Sequence, residues 1–565
     1  MCPEARESAR VVPRPLFTPP EQARQLAVRM RDGVLLATDV YLPPAGHGPV
    51  LLSRLPYDKA GNECFMPAVA RWLCARGYVV VVQDVRGKGR SGGELAPFVH
   101  EVDDGYDTLE WITGQDWASG PIGMFGDSYY GYTQWAAAAS GHPALAAMAP
   151  RVTTPDAPRL LTDGVFRLEM AVAWVLETFL DERLFDCIGT IDWTVRPLAD
   201  IAAEVLDGIR PHLLDRWVGG AVDAPEIEAE GRIPTLHLVG LDDFLAGAGI
   251  DAWRRASEGP AEQLLLVDAR DHGWTARDPG GPGGAASADG DPSPAFLEEY
   301  LSPLLGFFDR HLGQSLDLDS RRRSATEIPP VRWRIGDDRF HAARTWPPPD
   351  VVRRRWTLTV DGLEPAGSAV GRGRSAEDDP AGRPPVRSFV HDPSDPVPSA
   401  ANPFHPNLDR GDDTDSLDRD DVLVFASTAV TQPLVLLGSG TVSVDLDIDG
   451  DFDIVAEEGT HVVGHLMVGL FDVAPDGRAA RIAEAAVAVV DIGQPTAVDL
   501  PPLGWEVSAG HRLALRLSAS SYPGRLLHPG SAEDPWTATA GARRTYRVRL
   551  GEKSRLSLDV RGESR

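Results

Sequence analysis

Only four cysteines occur in 565 residues, Cys2, Cys64, Cys74 and Cys187, and none stands in C-x-x-C spacing. That pattern suggests neither a disulfide framework nor a cysteine-built zinc site. No apolar run approaches the roughly 18 residues that a membrane-spanning helix needs. The first residues, Met1-Cys2-Pro3-Glu4-Ala5-Arg6, lead into charges and prolines where a secretory leader would have an apolar stretch. A cytoplasmic location is therefore expected. Positive charge is also scarce. The 55 Lys and Arg stand against 83 Asp and Glu, for a formal net charge of −28, which argues against nucleic acid and anionic membrane surfaces as partners. The run Arg321-Arg322-Arg323 is too short for a nucleic-acid footprint and reads as a solvated linker. The acidic run from Asp409 to Asp421 lacks the fixed glycine and spaced ligands of a calcium loop, so no metal site is assigned. No internal repeat is found.

What is present is enough apolar material, 43% of residues, to bury the two or three cores expected of this length. Gln25 to Leu42 reads as two strands joined at Asp32-Gly33, a dipeptide suited to a tight hairpin turn. Apolar runs at Val50-Leu51-Leu52, Tyr78 to Val82 and Ile122 to Phe125 then alternate with helical patterns at Phe65 to Arg76 and Asp103 to Thr113. That alternation indicates βαβ units and a mainly parallel sheet. The sheet resumes at Pro234 to Val239 and Leu264 to Val267, and a helix over Phe296 to Leu312 closes it. Helical spacing over Leu160 to Leu184 and Asp200 to Trp217 reads as an inserted cap. Trp274 to Pro294, rich in Gly, Pro, Ala, Ser and Asp, reads as a long loop placed to gate a neighbouring site. Past residue 320, short β-rich runs take over, among them Asp421 to Ala426, Gly440 to Leu446, His465 to Phe471, His511 to Leu517 and Arg544 to Leu550. They suggest an antiparallel sandwich or jelly roll. The expected division is an α/β core over 1–150 and 231–318, a helical cap over 151–230, and a β domain over 319–565.

The chemistry centres on Gly126-Asp127-Ser128-Tyr129-Tyr130-Gly131, which follows the apolar run Ile122 to Phe125 and opens an Ala-rich segment, Tyr132 to Ala139. A G-x-S-x-x-G turn between strand and helix holds the serine on a strained elbow with its hydroxyl exposed. The helix that begins there turns free N–H groups toward developing negative charge. A serine hydroxyl needs a base, and the base needs an orienting carboxylate. His272, just past the strand Leu264 to Val267, is the best base. Gly240-Leu241-Asp242-Asp243, just past Leu236 to Val239, offers two adjacent acids between which spacing does not choose. In the cap, Phe166, Trp174 and Phe179 recur at helical spacing and read as core, with Trp174 the one candidate for substrate contact.

The elbow resembles the G-x-S-Y-x-G turn of the serine hydrolase family that contains cocaine esterase, X-Pro dipeptidyl-peptidases and α-amino acid ester hydrolases. Supporting segments span nearly the whole chain: Arg31-Asp32-Gly33-Val34, Thr38 to Pro43, Gln83-Asp84-Val85-Arg86-Gly87-Lys88-Gly89-Arg90-Ser91, Phe307-Phe308-Asp309-Arg310 and Gly510-His511-Arg512-Leu513. The resemblance implies an α/β-hydrolase fold with a C-terminal jelly roll. It implies oxyanion donors in the hydroxyl of Tyr57, from Pro56-Tyr57-Asp58-Lys59, and the backbone N–H of Tyr129. It places the triad acid on Asp243, with Asp242 replacing an aromatic neighbour. A second departure is Asp268-Ala269-Arg270-Asp271-His272, where relatives show G-P-W-x-H. Extra carboxylates at Asp242 and Asp271 would raise the histidine's basicity, favour a cationic substrate group, or face solvent.

The expectation is a serine esterase acting on a small acyl ester through an acyl-enzyme, with no cofactor or metal. Its alternatives are an X-Pro dipeptidyl-peptidase, an α-amino acid ester hydrolase or β-lactam acylase, and a biosynthetic transacylase. The rival of another class is an inactive binding protein. The partner is a small-molecule ester or amide. A homo-oligomer is allowed by the sequence and not decided by it.

Overall fold

The computed structural model describes residues 23–61, 64–180, 189, 191–201, 212–274, 292–312, 328–335, 339–366, 384–399, 412–450, 462–490 and 494–562, apart from the side chains of 179 and 180. Among them the strands β1 (Arg24–Arg29), β2 (Leu35–Tyr41), β3 (Gly48–Leu55), β4 (Val79–Asp84), β5 (Ala118–Asp127) and β6 (Leu145–Arg151) lead into a short hairpin, β7 (Thr162–Asp163) and β8 (Val165–Phe166). They are followed by β9 (Thr235–Gly240), β10 (Gln263–Asp268), β11 (Val331–Arg334) and β12 (His341–Ala343). Ten of these form one sheet in the order β1-β2-β4-β3-β5-β6-β9-β10-β11-β12. From β4 through β11 every pairing is parallel. Every residue of β3 and β4 is buried, as a strand covered by helices on both faces requires. Parallel strands deliver their following loops to one edge, so the turns after β5, β9 and β10 converge there.

Two features go beyond the sequence reading. Strands β11 and β12, past the expected 318/319 boundary, pair onto the edge of the ten-stranded sheet. Val331 and Trp333, at 0% and 2% exposure, cover an apolar edge beside Val267, Ile250 and Trp253 that β10 alone would leave open. The expected helix Leu160 to Leu184 is broken into a turn, Pro158–Leu161, the β7–β8 hairpin, and a cap helix, Leu168–Val175, that continues as a wider turn over Leu176–Leu180. Asp163-Gly164 interrupts the apolar run, and a two-residue hairpin uses that break. A helix over Leu213–Val218 is present. Residues 181–184, 202–211 and 275–291, on which the rest of the cap and the gating loop were expected, lie outside the described residues.

The C-terminal part consists of antiparallel strands in two sheets. Leu434–Ile448 shows why: Val442, Val444, Leu446 and Ile448 point into the core while Ser443, Asp445 and Asp447 alternate outward. Leu436 and Val444 from one sheet meet Leu466, Val468 and Leu515 from the other. This β domain also grips the cap. Leu526 N–H donates to Phe166 C=O (2.9 Å), Glu169 N–H to Pro523 C=O (3.2 Å) and the Arg525 guanidinium to Val165 C=O (2.9 Å).

Candidate active site

Ser128 follows β5 directly, opens the helix Ser128–Ala139 and carries φ 50°, a left-handed conformation that costs a non-glycine residue about 1–2 kcal/mol. The glycines around it are fixed by space. A Cβ on Gly126, itself at φ 144°, would lie 2.3 Å from the Tyr130 ring, and one on Gly131 would lie 2.5 Å from the Thr153 methyl. Thr153 in turn donates its hydroxyl proton to the Ser128 carbonyl at 2.6 Å, which pins the strained residue from behind.

The three predicted triad residues come together. His272 Nε2 lies 2.9 Å from Ser128 Oγ and His272 Nδ1 lies 2.8 Å from Asp243 Oδ1. Asp243 is almost wholly buried, at 1% side-chain exposure. Its carboxylate selects the tautomer with the proton on Nδ1, so Nε2 is left to accept the serine proton. Burial alone would push the His272 imidazole down, but Asp243, with Asp271 and Asp127 adding to it, holds it above the ordinary histidine value. The Phe244 ring packs against the imidazole at 4.6 Å between centroids.

Asp242 is not on the histidine. It and Asp271 are nonetheless buried, at 4% and 3% exposure, so the solvent-facing arrangement does not hold. Asp127 also belongs to this surrounding acid set. Its carboxylate accepts from Tyr300 Oη at 2.6 Å and lies 3.5 Å from the buried Arg151 guanidinium, which sits over the Tyr300 and Trp274 rings. Arg151 and Tyr300 are distant in the chain and carry no motif, so sequence reading missed them.

Of the two predicted oxyanion donors, Tyr129 follows Ser128 in the chain and Tyr57 lies near its side chain. Tyr57 is 8% exposed, its hydroxyl accepts from Trp174 Nε1 at 3.2 Å, and it lies near the Ser128 side chain. Because an indole nitrogen only donates, the Tyr57 proton is left to point toward the nucleophile. Burial holds this phenol well above its usual value, so it remains a donor at any working pH. Trp174, expected as a substrate contact, is placed by the structure on the Tyr57 hydroxyl. The Tyr129 N–H lies in the first turn of its helix, where no intrahelical acceptor exists. The Tyr129 side chain is held by stacking on Phe98 (5.0 Å), by a bond from the Phe98 N–H (2.8 Å) and by its own donation to Glu101 (2.9 Å), which is paired with Arg54 (2.9 Å).

The N-terminal segments that carry the resemblance are tied to one another, starting at Lys59, two residues after Tyr57. Lys59 Nζ binds Asp84 (2.7 Å) and the Ala37 carbonyl (2.9 Å), Ser91 bridges the Asp84 carbonyl and the Ala37 N–H, and Arg86 spans Asp104 and Asp32. Among the described residues no cluster of three His, Cys, Asp or Glu side chains is placed to hold a metal ion, and no helix is long and apolar enough to cross a membrane.

Known proteins match this arrangement over most of its length. Residues 32–273 fit the model of the X-Pro dipeptidyl-peptidase (S15 family), and 324–556 that of the X-Pro dipeptidyl-peptidase C-terminal non-catalytic domain. Cocaine esterase of Rhodococcus sp. (strain MB1 Bresler) is 30% identical over 558 residues, covering 89% of this chain and 91% of the relative. The chain belongs to this family of serine hydrolases. An α-amino acid ester hydrolase superposes with a TM-score of 0.72 at 20% identity, covering 95% of this chain and 96% of the other. An aminopeptidase from the marine sediment archaeon Thaumarchaeota archaeon gives 0.72 at 20%, covering 97% and 99%. At that identity the two structures attest the shared fold: an α/β-hydrolase core with a C-terminal domain of mostly antiparallel strands. S15-family serine hydrolases act on ester or peptide bonds, and this chain is an enzyme of that kind.

Proposed function

We propose that this chain hydrolyses the ester bond of a small acyl substrate through Ser128, His272 and Asp243. His272 Nε2 takes the Ser128 proton as Oγ attacks the carbonyl carbon. The oxyanion receives hydrogen bonds from the Tyr57 hydroxyl and the Tyr129 N–H. The intermediate collapses, His272 passes its proton to the departing alkoxide, and Ser128 is left acylated. Water gives a proton to His272, attacks the acyl carbon, and a second collapse returns Ser128. The reading is carried by the unbroken chain from Asp243 through His272 to Ser128, at 2.8 and 2.9 Å, with Tyr57 beside its end. In this reading, residues 1–150 and 231–318 carry the chemistry, the cap over 151–230 shapes the acyl pocket, and the β domain braces the cap.

A second reading, cleavage of an aminoacyl amide or ester, is favoured by the buried carboxylates Asp127, Asp242 and Asp271 around the triad, which suit a substrate carrying an ammonium group. Rapid-quench kinetics with p-nitrophenyl acetate, p-nitrophenyl benzoate and aminoacyl p-nitroanilides tests both. A burst of nitrophenol equal to the enzyme concentration, with an acyl mass on Ser128, supports the ester reading. Turnover confined to the anilides moves the assignment to the peptidase reading. Partition of the acyl group to added alcohols or amines in preference to water would make the enzyme a transacylase.

A further inference from the structure

The turn that carries His272 is gripped at both ends. On the near side the Asp242 N–H donates to the Arg270 carbonyl at 2.9 Å, and on the far side the Trp274 N–H donates to the Asp271 carbonyl at 3.1 Å. His272 and Gly273 are thereby the two central residues of a tight turn. Trp274 is 3% exposed and carries φ 60°. Its indole ring lies 4.7 Å from the Arg151 guanidinium, which reaches back to Asp127, the residue before the nucleophile, at 3.5 Å. We propose that Arg151 is a positioning residue of the catalytic base: braced on Asp127, it holds the Trp274 ring and with it the turn that presents His272 to Ser128.

Arg151 is itself fixed. It ends β6, is 1% exposed, donates to the Tyr300 carbonyl at 2.6 Å and lies 3.7 Å from the centre of the Tyr300 ring. The Tyr300 hydroxyl in turn donates to Asp127 at 2.6 Å. Two aromatic faces and a carboxylate thus confine the guanidinium. The Trp274 carbonyl is held as well: it accepts from Arg270 at 3.4 Å, and Arg270 pairs with Glu299. Glu299 and Tyr300 are neighbours on the helix Pro294–Leu312, so one helix anchors both arginines that bear on Trp274. Backbone strain marks the same place. Among the described residues five that are not glycine have positive φ, and three of them adjoin this cluster: Ser128 at 50°, Val152 at 43° and Trp274 at 60°. Such conformations persist only where the surroundings over-determine them. Packing alone would not call for an arginine, because well-packed apolar side chains often replace a buried ion pair without loss of stability. The charge has a use here. Burial pushes the Asp127 carboxyl up, Arg151 is the largest influence opposing that, and Asp127 adds to Asp243 in favouring the His272 imidazolium.

The proposal rests on the triad reading, so its test follows the Asp243–His272 bond as well as turnover. The downfield proton signal of His272 Nδ1 and steady-state ester hydrolysis are measured in wild type, Trp274→Leu, Trp274→Phe, Arg151→Met and the Arg151→Met/Trp274→Leu double variant. Trp274→Leu and Arg151→Met should each lower kcat about 10- to 100-fold, the scale of loss when a catalytic group shifts by up to about 1 Å. KM should stay within about twofold, and the proton signal should broaden by exchange. Trp274→Phe keeps a ring face for the guanidinium, so it should regain most of the rate and the sharp signal. Because Arg151 acts through Trp274, the double variant should be no slower than the slower single one. A kcat within about twofold of wild type in folded Trp274→Leu would overturn the proposal, as would a Trp274→Phe no better than Trp274→Leu, losses that multiply in the double variant, or a lost rate with the signal unchanged. Should Arg151→Met fail to fold with Asp127 left unpaired, the comparison of Leu with Phe at Trp274 decides alone. The signal reports the bond with or without turnover, and labelling of Ser128 checks the triad reading separately.

Discussion

Removing the Tyr57 hydroxyl isolates one hydrogen bond from the rest of the machinery. Tyr57 lies between two groups: Trp174 Nε1 donates to its oxygen at 3.2 Å, and Ser128 is beside it on the other side, so in the proposed mechanism its proton is free to turn to the oxyanion. The ground-state ester makes little use of that proton, whereas the tetrahedral oxyanion does. Tyr57→Phe is therefore expected to lower kcat about 10²–10³-fold, the typical worth of one oxyanion donor, with KM little changed. Trp174→Phe leaves the donor present but unoriented, and since a neutral hydrogen bond contributes about 0.5–1.5 kcal/mol, the expected loss is roughly 3- to 10-fold. Because Trp174 acts through Tyr57, the double variant should be no slower than Tyr57→Phe alone. The assay is stopped-flow hydrolysis of p-nitrophenyl acetate, with circular dichroism confirming that each variant is folded. A Tyr57→Phe rate within about threefold of wild type would refute the reasoning, as would losses that simply multiply in the double variant.

Other consequences follow from the same contacts. Ester hydrolysis should fall as pH drops through the folded-state pKa of His272, because the imidazolium cannot accept the serine proton; that limb lies above the ordinary histidine value, and Asp271→Asn should move it toward acid. His237, buried against Trp135 and bonded to Gln263 at 2.9 Å, is lowered by burial to about 4. The folded state keeps it neutral while the unfolded chain takes up the proton. Stability from this group is therefore full above about pH 6.5 and is lost progressively toward pH 4, by about 3 kcal/mol in all; urea melts at both ends of that window should show a smaller loss in His237→Gln. Tyr129→Phe strips Glu101 and the Phe98 N–H of a buried partner, and calorimetry should record a loss of about 2–3 kcal/mol. Gly131→Ala forces a methyl against Thr153, so soluble yield and kcat should fall together as the elbow shifts.

The elements that carry chemistry were legible because their signals are local. Glycines flanking Ser128, an apolar strand before it and a helix after it are forced by the sharp turn, and the order of serine, acid and histidine follows from parallel strands ending on one edge. The choice between Asp242 and Asp243 was not local. It depends on the turn that sends one side chain toward His272, and only the family pattern had separated them. Arg151 and Tyr300 stayed hidden for a related reason: each reads as an ordinary residue of a helix or strand until the fold places it beside the site. The cap was misread as continuous helix because apolar spacing persists across a hairpin of only two residues per strand. That β11 and β12 pair into the ten-stranded sheet was not legible, since a four-residue strand gives no indication of which sheet it will join.

The central claim is that Ser128 is an activated nucleophile. Intact-mass analysis after exposure to a fluorophosphonate, with peptide mapping and with Ser128→Ala alongside, tests it most directly. One adduct per chain is expected, mapped to Ser128 and absent from the variant. Well-folded wild-type protein that takes up no adduct, or equal labelling of the variant, would contradict it.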